Sequence, residues 1–341
     1  MKICVLQPDY STSTVDYRHY DPPRDLAPLA AGHTVHHEFL HKLTTYRQLQ
    51  ALKPQGFDIY VNLCEGYLEW DVPSVDVIHA LEQLDLPYTG PTPQLYDPSK
   101  PLMKYVAHSA GIATPRHVVL APGDDPVAAV TRAKLKYPLF VKPAKAGDSL
   151  GVDESARVAD AAALAAQVAH IQPEYPDLLV EEFIEGREFT VLVIGDAEGH
   201  GRSTALTPVE YRFPEGRSYK SYALKTSELH PDANVPVRAE PLASQLKDAA
   251  RTVFRSFDAT GYARMDFRMD AAGQLYFLEI NFTCSVFYPE GWEGSADHIL
   301  KLDGLGQAGF LERIVAEGRA RYARKRKAYA MRGDAIAGYG I

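Results

Sequence analysis

The chain has 341 residues, enough for two or three domains with ample core. Hydrophobic residues make up 46% and charged residues 23%, and the formal net charge is -8, which fits an ordinary soluble globular protein and argues against a general nucleic-acid binder, since such proteins carry a basic surface. No window approaches the ~20 apolar residues of a membrane span.

The opening MKICVLQPDY reads as a strand without a signal-peptide apolar run. Lys2–Leu6 and Phe57–Leu63 are short apolar runs rich in strand formers, and 46–52 and 75–84 carry helical spacing, with Pro87 closing the second. That βαβα order predicts a small parallel sheet with helices packed on it. The turn formers of 88–93 mark a domain boundary. Beyond it, 100–110 reads as a helix ending at Gly111, and 137–143 and 178–184 read as strands. A helix follows at 242–257, with Leu242, Leu246, Ala249, Val253 and Phe257 on one stripe. Two strands, 262–270 and 274–281, then flank a tight turn at Ala271-Ala272-Gly273. The expected units are 1–96, 97–185 and 186–330, with a tail at 331–341. The basic run 319–327 reads as a solvated helix face or a frayed tail.

The last hairpin carries the most chemistry. Residues two apart on a strand share a face, so Arg264 goes with Asp266 and Glu279 with Asn281. A tight turn at Ala271-Ala272 sets Arg264 across from Glu279 and Asp266 diagonal to it. Two carboxylates and an Asn carbonyl suit a hard cation, and an arginine beside them suits an oxyanion or phosphate. The hairpin alone equally allows a surface patch of cross-strand ion pairs.

Other signals are weaker singly. Lys142 ends an apolar strand and precedes a loop with Gly147, Ser149 and Gly151, a type that can offer backbone N–H groups to phosphate and close as a lid. It lacks the Gly-Lys-Ser/Thr ending of a Walker A loop. Lys100 opens a helix. Glu181 and Glu182 end a strand on opposite faces, and Glu188 follows the Gly186 bend, as in a linker gripping adenine and ribose or in a charged surface loop.

In order, Lys100, the strand lysine with its glycine loop, E-E-F-I-x-G-x-E, R-x-D and E-x-N resemble the ATP-grasp superfamily. YPLFVKPAKAGDSLGV, LLVEEFIEGREFTV and GYARMDFRMDAAGQLYFLEIN look most like the D-alanine–D-alanine ligase family and related carboxylate–amine ligases. VNLCEG…HALEQLDLPYTG resembles the end of that family's N-terminal domain, so the likeness covers roughly residues 57–300. The resemblance implies an α/β chain: a Rossmann-like N-terminal domain followed by two α+β lobes that sandwich ATP. It implies that Lys100, Lys142 and the loop of 144–152 contact phosphates. Glu181, Glu182, Ile184 and Glu188 would hold adenine and ribose, and Asp266, Glu279 and Asn281 would hold Mg²⁺ or Mn²⁺. Arg264 would stabilise a tetrahedral intermediate, with Lys225 and Ser295 as further catalytic residues. The implied reaction joins a carboxylate to an amine through an acyl-phosphate, on small amino-acid substrates and with no nucleic-acid or membrane partner. A homodimer is a further implication.

Three departures bear on the substrate. The family's Gly-Gly turn and substrate-binding acid after the first strand are replaced by QPDYSTSTVDYRHYDPP. Thr226 follows Lys225 where tyrosine is usual. Asn281 is followed by FTCSVFYPEGWEGSAD rather than the family's short acceptor-site segment. These leave open a biosynthetic dipeptide or amino-acid ligase with substrates other than D-alanine; a different class would be a turnover-deficient nucleotide-binding sensor or scaffold. Cys284 reads as a packed thiol, and His33, His36 and His37 as structural or surface groups. Cys4, Cys64 and Cys284 are too far apart for a metal knuckle or disulfide framework, which fits a reducing cytoplasm.

Overall fold

The structure is a computed structural model that describes residues 1–11, 13, 21–66, 70–146, 150–199, 201–219 and 233–337. It opens with β1 (Lys2–Pro8), β2 (Thr34–Leu40), α1 (Thr45–Leu52), β3 (Ile59–Asn62) and α2 (Val75–Gln83). The three strands form a parallel sheet in the order β2-β1-β3. Alternation along β1 explains its unbroken apolar run: Cys4 and Leu6 pack with Leu49, Ile78 and Leu81, while Ile3 and Val5 pack with Leu192, Tyr262 and Phe310. Both faces are covered, the second by the far end of the chain.

β2 was not expected from the sequence. Its TVHHEFL is too polar to stand out, because an edge strand has one neighbour and stays half-exposed. The histidines there make separate local contacts, His36 with Glu38 at 3.2 Å and His37 with Asp25 at 3.6 Å.

Next come α3 (Lys100–Ser109), β4 (His117–Leu120), α4 (Pro126–Ala133), β5 (Leu139–Pro143), β6 (Arg157–Val158), α5 (Ala161–Ile171) and β7 (Leu178–Glu182). These strands form an antiparallel sheet, β4-β7-β5-β6, whose core joins Leu139, Val141 and Val180 to Leu164 and Val168 of α5. The remaining elements are β8 (Arg187–Gly195), β9 (Ser203–Ala205), β10 (Val209–Tyr211), β11 (Asn234–Pro236), α6 (Leu242–Ser256), β12 (Tyr262–Met269), β13 (Leu275–Asn281), α7 (Ser295–Asp303) and α8 (Gly306–Ala337). Their sheet runs β11-β10-β8-β12-β13, with β9 on β8. The apolar stripe of α6 packs on it through Leu246, Val253 and Phe254. Helix α3 contributes Met103 and Ala107 to this same core, so Lys100 is carried against β13 rather than against its own neighbours in sequence.

The β12–β13 hairpin differs in register from the sequence expectation. Asp270 N–H donates to Gln274 O, and Gly273 adopts φ +81, so the loop holds three residues rather than a two-residue turn. A bulge at Asp266/Phe267 adds one more residue of shift. Arg264 therefore faces Asn281, and Asp266 faces Glu279 directly. The total displacement is two residues, which preserves the face each side chain occupies.

The basic run 319–327 lies in α8 and is only partly a solvated face: Arg319, Arg326 and Lys327 are exposed, while Arg321, Arg324 and Lys325 are half-buried. Arg321 donates to the carbonyls of Tyr88 (2.7 Å) and Gly90 (2.8 Å). Lys325 pairs with Glu82 at 2.6 Å, Arg326 with Asp85 at 2.7 Å, and Arg324 donates to Ala197 O at 2.7 Å. The backbones meet closely here: a Cβ on Gly318 would sit 2.5 Å from Tyr88 O. Helix α8 thus fastens the first sheet to β8.

Candidate active site

A cleft between the second and third sheets is lined by Lys100, Lys142, Glu181, Glu182, Ile184 and Glu188. Arg264, Asp266, Glu279 and Ser295 complete its wall. Ten of the residues singled out in the sequence are therefore brought to one opening. α3 supplies Lys100, β5 Lys142, β7 Glu181 and Glu182, and β8 Glu188, while β12 and β13 supply the hairpin groups. Gly151 stands beside this wall, between the lining residues Leu150 and Val152. Its φ is +70, and a Cβ there would press on the Pro143 ring at 2.7 Å. Gly147, Ser149 and Lys225 lie outside the described residues.

Strand alternation separates Glu181 from Glu182, as the sequence implied. Glu182 turns away from Glu181, accepting from Lys136 N–H at 2.9 Å, and still lines the cleft. Glu181 turns inward and is gripped by two lysines: Lys142 Nζ stands 2.6 Å from one carboxylate oxygen and Lys104 Nζ 2.5 Å from the other. Lys104 was not singled out in the sequence, where its place mid-helix looked ordinary; its signal is the i, i+4 spacing from Lys100 on one face of α3. Its side chain is 0% exposed.

The charges in this trio follow from competition between burial and pairing. Burial alone would raise the Glu181 pKa, but the two ammonium groups outweigh it and hold the carboxyl at about 2. Burial lowers Lys104 to about 8, against the pull of Glu181 and with the help of the Lys142 charge. Burial also opposes the Lys142 charge, but Glu181 and Glu279 prevail and hold it above the ordinary lysine value. Lys142 thus stays cationic in a desolvated wall. Lys100 completes the group: its ammonium donates to Ala146 O and lies 3.8 Å from Glu279.

On the hairpin, Arg264 Nη2 is 3.3 Å from Asp266 Oδ2, and Asp266 stands opposite Glu279. Asn281, two residues beyond Glu279, has a buried side-chain nitrogen with no hydrogen-bond partner among the described residues. Two facing carboxylates and an amide are hard oxygen donors, and that donor set fits Mg²⁺ with its remaining positions taken by water and phosphate.

Arg264 also lines a second cavity, with Asn281, Trp70, Tyr96 and Ser285. Its wall is an interlocked network. Buried Arg24 reaches Asp21 (3.2 Å), Glu65 (3.5 Å), Leu63 O (3.1 Å) and Val286 O (3.4 Å). Asp21 accepts from the hydroxyls of Tyr10 and Tyr288, the latter at 2.6 Å, and Glu65 accepts from Ser285 at 2.7 Å. Desolvation works against the Arg24 charge, but Asp21, Tyr288 and Glu65 hold its pKa above the usual arginine value. The network joins two of the segments that depart from the family pattern, the one after β1 and the one after Asn281.

The second of those segments is shaped by Asp297 of α7. Its carboxylate accepts from the N–H groups of Phe287 (2.8 Å) and Gly294 (3.2 Å) and from Gln307 (2.8 Å). This fixes the start of α7 and delivers Ser295 to the cleft. Cys284 is buried, and burial pushes its thiol up to about 12, which rules out a ready thiolate nucleophile. Arg24, Asp21 and Asp297 had no motif to mark them, because their partners are scattered through the chain.

The D-ala D-ala ligase C-terminus family matches residues 106–295, more than half of the chain. The D-alanine–D-alanine ligase of Nocardia farcinica is 33% identical over 224 residues, covering 63% of this chain and 60% of that protein. The alignment with such curated relatives thus spans about 60% of their length. Among solved structures, the D-alanine–D-alanine ligase of Coxiella burnetii superposes with a TM-score of 0.70 at 17% identity, covering 99% of each chain. That of Bacillus anthracis, complexed with ATP, gives 0.70 at 17% identity, covering 95% of this chain and 99% of that one. These likenesses carry the ATP-grasp fold, and with the family match they place this chain in the D-ala D-ala ligase family.

Proposed function

We propose that this protein is an ATP-dependent carboxylate–amine ligase that forms an amide bond through an acyl-phosphate, with D-alanine as the substrate that its relatives' names point to. The observation that carries this reading is Arg264, which lines both the cleft of lysines and facing acids and the separate cavity behind it. A reaction that moves a phosphoryl group from one compartment onto a molecule held in the other needs such a shared wall. The nucleotide would lie in the cleft, with Glu181, Glu182, Ile184 and Glu188 around base and sugar. Lys100 and Lys142, with the loop that includes Gly147, Ser149 and Gly151, would hold its phosphates.

The donor set of Asp266, Glu279 and Asn281 suits Mg²⁺ or Mn²⁺, which when bound would neutralise phosphate charge. This chain's residues then do the following. Lys142 and Lys100 spread negative charge on the transferred phosphoryl group. The substrate carboxylate oxygen takes the γ-phosphoryl group of ATP and ADP leaves; the amine then attacks the carbonyl of the acyl-phosphate, gives up a proton, and inorganic phosphate leaves as the amide forms. Arg264 stabilises the oxyanion of that attack, with Ser295 of the same cleft wall, and Lys225 would assist as the resemblance implies. The enclosing walls keep water from the acyl-phosphate.

A second reading keeps the chemistry and changes the substrates to a dipeptide or amino-acid pair other than D-alanine. It is favoured by the network of Arg24, Asp21, Glu65, Ser285 and Tyr288, which frames the second cavity with residues of the departing segments. The reaction would take place on small soluble amino acids in the cytoplasm.

A phosphate-release screen of paired D- and L-amino acids with ATP and Mg²⁺ tests both readings. Release is expected for at least one pair, falling at least about 100-fold in Glu279→Ala with folding intact. Release with D-alanine alone would select the first reading over the second. ATP binding without release across the whole panel would favour a sensor over an enzyme.

A further inference from the structure

Arg268 was given no role in the sequence reading, yet it lines the same cleft and is 3% exposed. It follows Arg264 and Asp266 at alternate positions on β12, so a single strand turns three polar side chains toward the cleft. Both terminal nitrogens of its guanidinium bond to the hinge between the two antiparallel sheets, while its buried Nε has no hydrogen-bond partner among the described residues. Nη1 lies 3.1 Å from Glu188 Oε2 and donates to Ser218 O at 2.8 Å, and Nη2 donates to Gly186 O at 3.0 Å. Glu188 is its direct cross-strand neighbour on β8. The guanidinium plane also stands 4.7 Å over the Phe183 ring, which packs with Phe140 and Tyr219.

A carboxylate that is to accept two sugar hydroxyls must keep its orientation. Arg268 supplies it: the ion pair fixes one Glu188 oxygen, and the two carbonyl contacts stop the guanidinium from following Glu188 if that side chain swings. We propose that Arg268 is a positioning residue that holds the Glu188 carboxylate toward the ribose hydroxyls and thereby sets a preference for nucleotides that carry them. This rests on the reading of the cleft as the ATP site.

Calorimetric titration of the full-length protein with ATP and with 2′,3′-dideoxy-ATP, both with Mg²⁺ and without amino acids, tests it. The wild type is expected to prefer ATP. Arg268→Met should weaken ATP binding about tenfold while changing dideoxy-ATP less than about twofold. Arg268→Lys should restore part of the preference, and Glu188→Gln should lose it as Arg268→Met does. Equal losses for both nucleotides, or an unchanged ratio, would overturn the assignment and leave Arg268 as a prop of the hinge. If Arg268→Met does not fold, Arg268→Lys and Glu188→Gln decide on the same ratio. Wild-type protein that binds ATP and dideoxy-ATP equally sinks this inference alone, whereas binding of neither sinks the nucleotide reading beneath it as well.

Discussion

Lys142 reaches Glu181 from the neighbouring strand, its Nζ 2.6 Å from Oε1, while Lys104 holds the other oxygen from helix α3. The contact ties the second sheet to the helix that packs on the third. It also makes the stability of the cleft depend on pH in a defined direction.

Glu181 has a folded pKa of about 2 against an ordinary value of 4.5. Its stabilisation is fully present above 4.5 and is lost as pH falls from there toward 2. Lys104 acts in the opposite sense. Its folded value of about 8 lies below 10.5, so the cost of burying its charge is present below 8 and is relieved as pH rises from 8 toward 10.5. Glu181→Gln should lose roughly 3–5 kcal/mol at neutral pH, because two buried ammonium groups lose their partner. It should also flatten the acid limb between pH 4.5 and 2. Urea unfolding across that range measures both, and an acid limb as steep as wild type's would refute the assignment.

The Arg24 network should separate the two compartments kinetically. Tyr288→Phe removes the 2.6 Å hydrogen bond to Asp21 on the wall of the second cavity. We expect KM for the amino-acid substrate to rise about 3–10-fold with KM for ATP unchanged. Steady-state kinetics with each substrate varied in turn makes the comparison. An equal rise in both KM values would show that the second cavity is not a separate substrate site.

The α8 clamp makes a stability prediction independent of chemistry. Gly318→Ala places a methyl 2.5 Å from Tyr88 O, a backbone atom that cannot swing away. The overpacking should destabilise the protein by about 1–3 kcal/mol. Nucleotide affinity in the distant cleft should be preserved at temperatures well below the melt. An unchanged thermal midpoint would mean that α8 shifts freely on the first sheet.

Much of this was legible in the chain. The apolar run at 2–6 is a strand because both its faces meet packed neighbours, and that at 137–143 forms β5 over 139–143, with Leu139 and Val141 packed on α5 and Phe140 and Lys142 lining the cleft. The β12–β13 hairpin revealed its polar face because strand parity survives an error of two residues in register. Edge strand β2 was missed, since a strand with one neighbour and half its surface in water has no composition that demands a strand. The basic run of α8 was partly misread for a related reason: local sequence cannot show that Glu82 and Asp85, more than 230 residues earlier, await it.

Strand parity grouped the hairpin residues, whereas the cleft's lysines and hinge acids were singled out by the order of motifs that resembles the ATP-grasp superfamily. Tertiary structure alone decided how they are held. Lys104 meets Glu181, Arg268 meets Glu188, and Arg24 binds two distant loops into the wall of the second cavity. Those pairings depend on which surfaces the packed cores bring together, and a buried charge is tolerated only where its partner arrives from elsewhere in the fold.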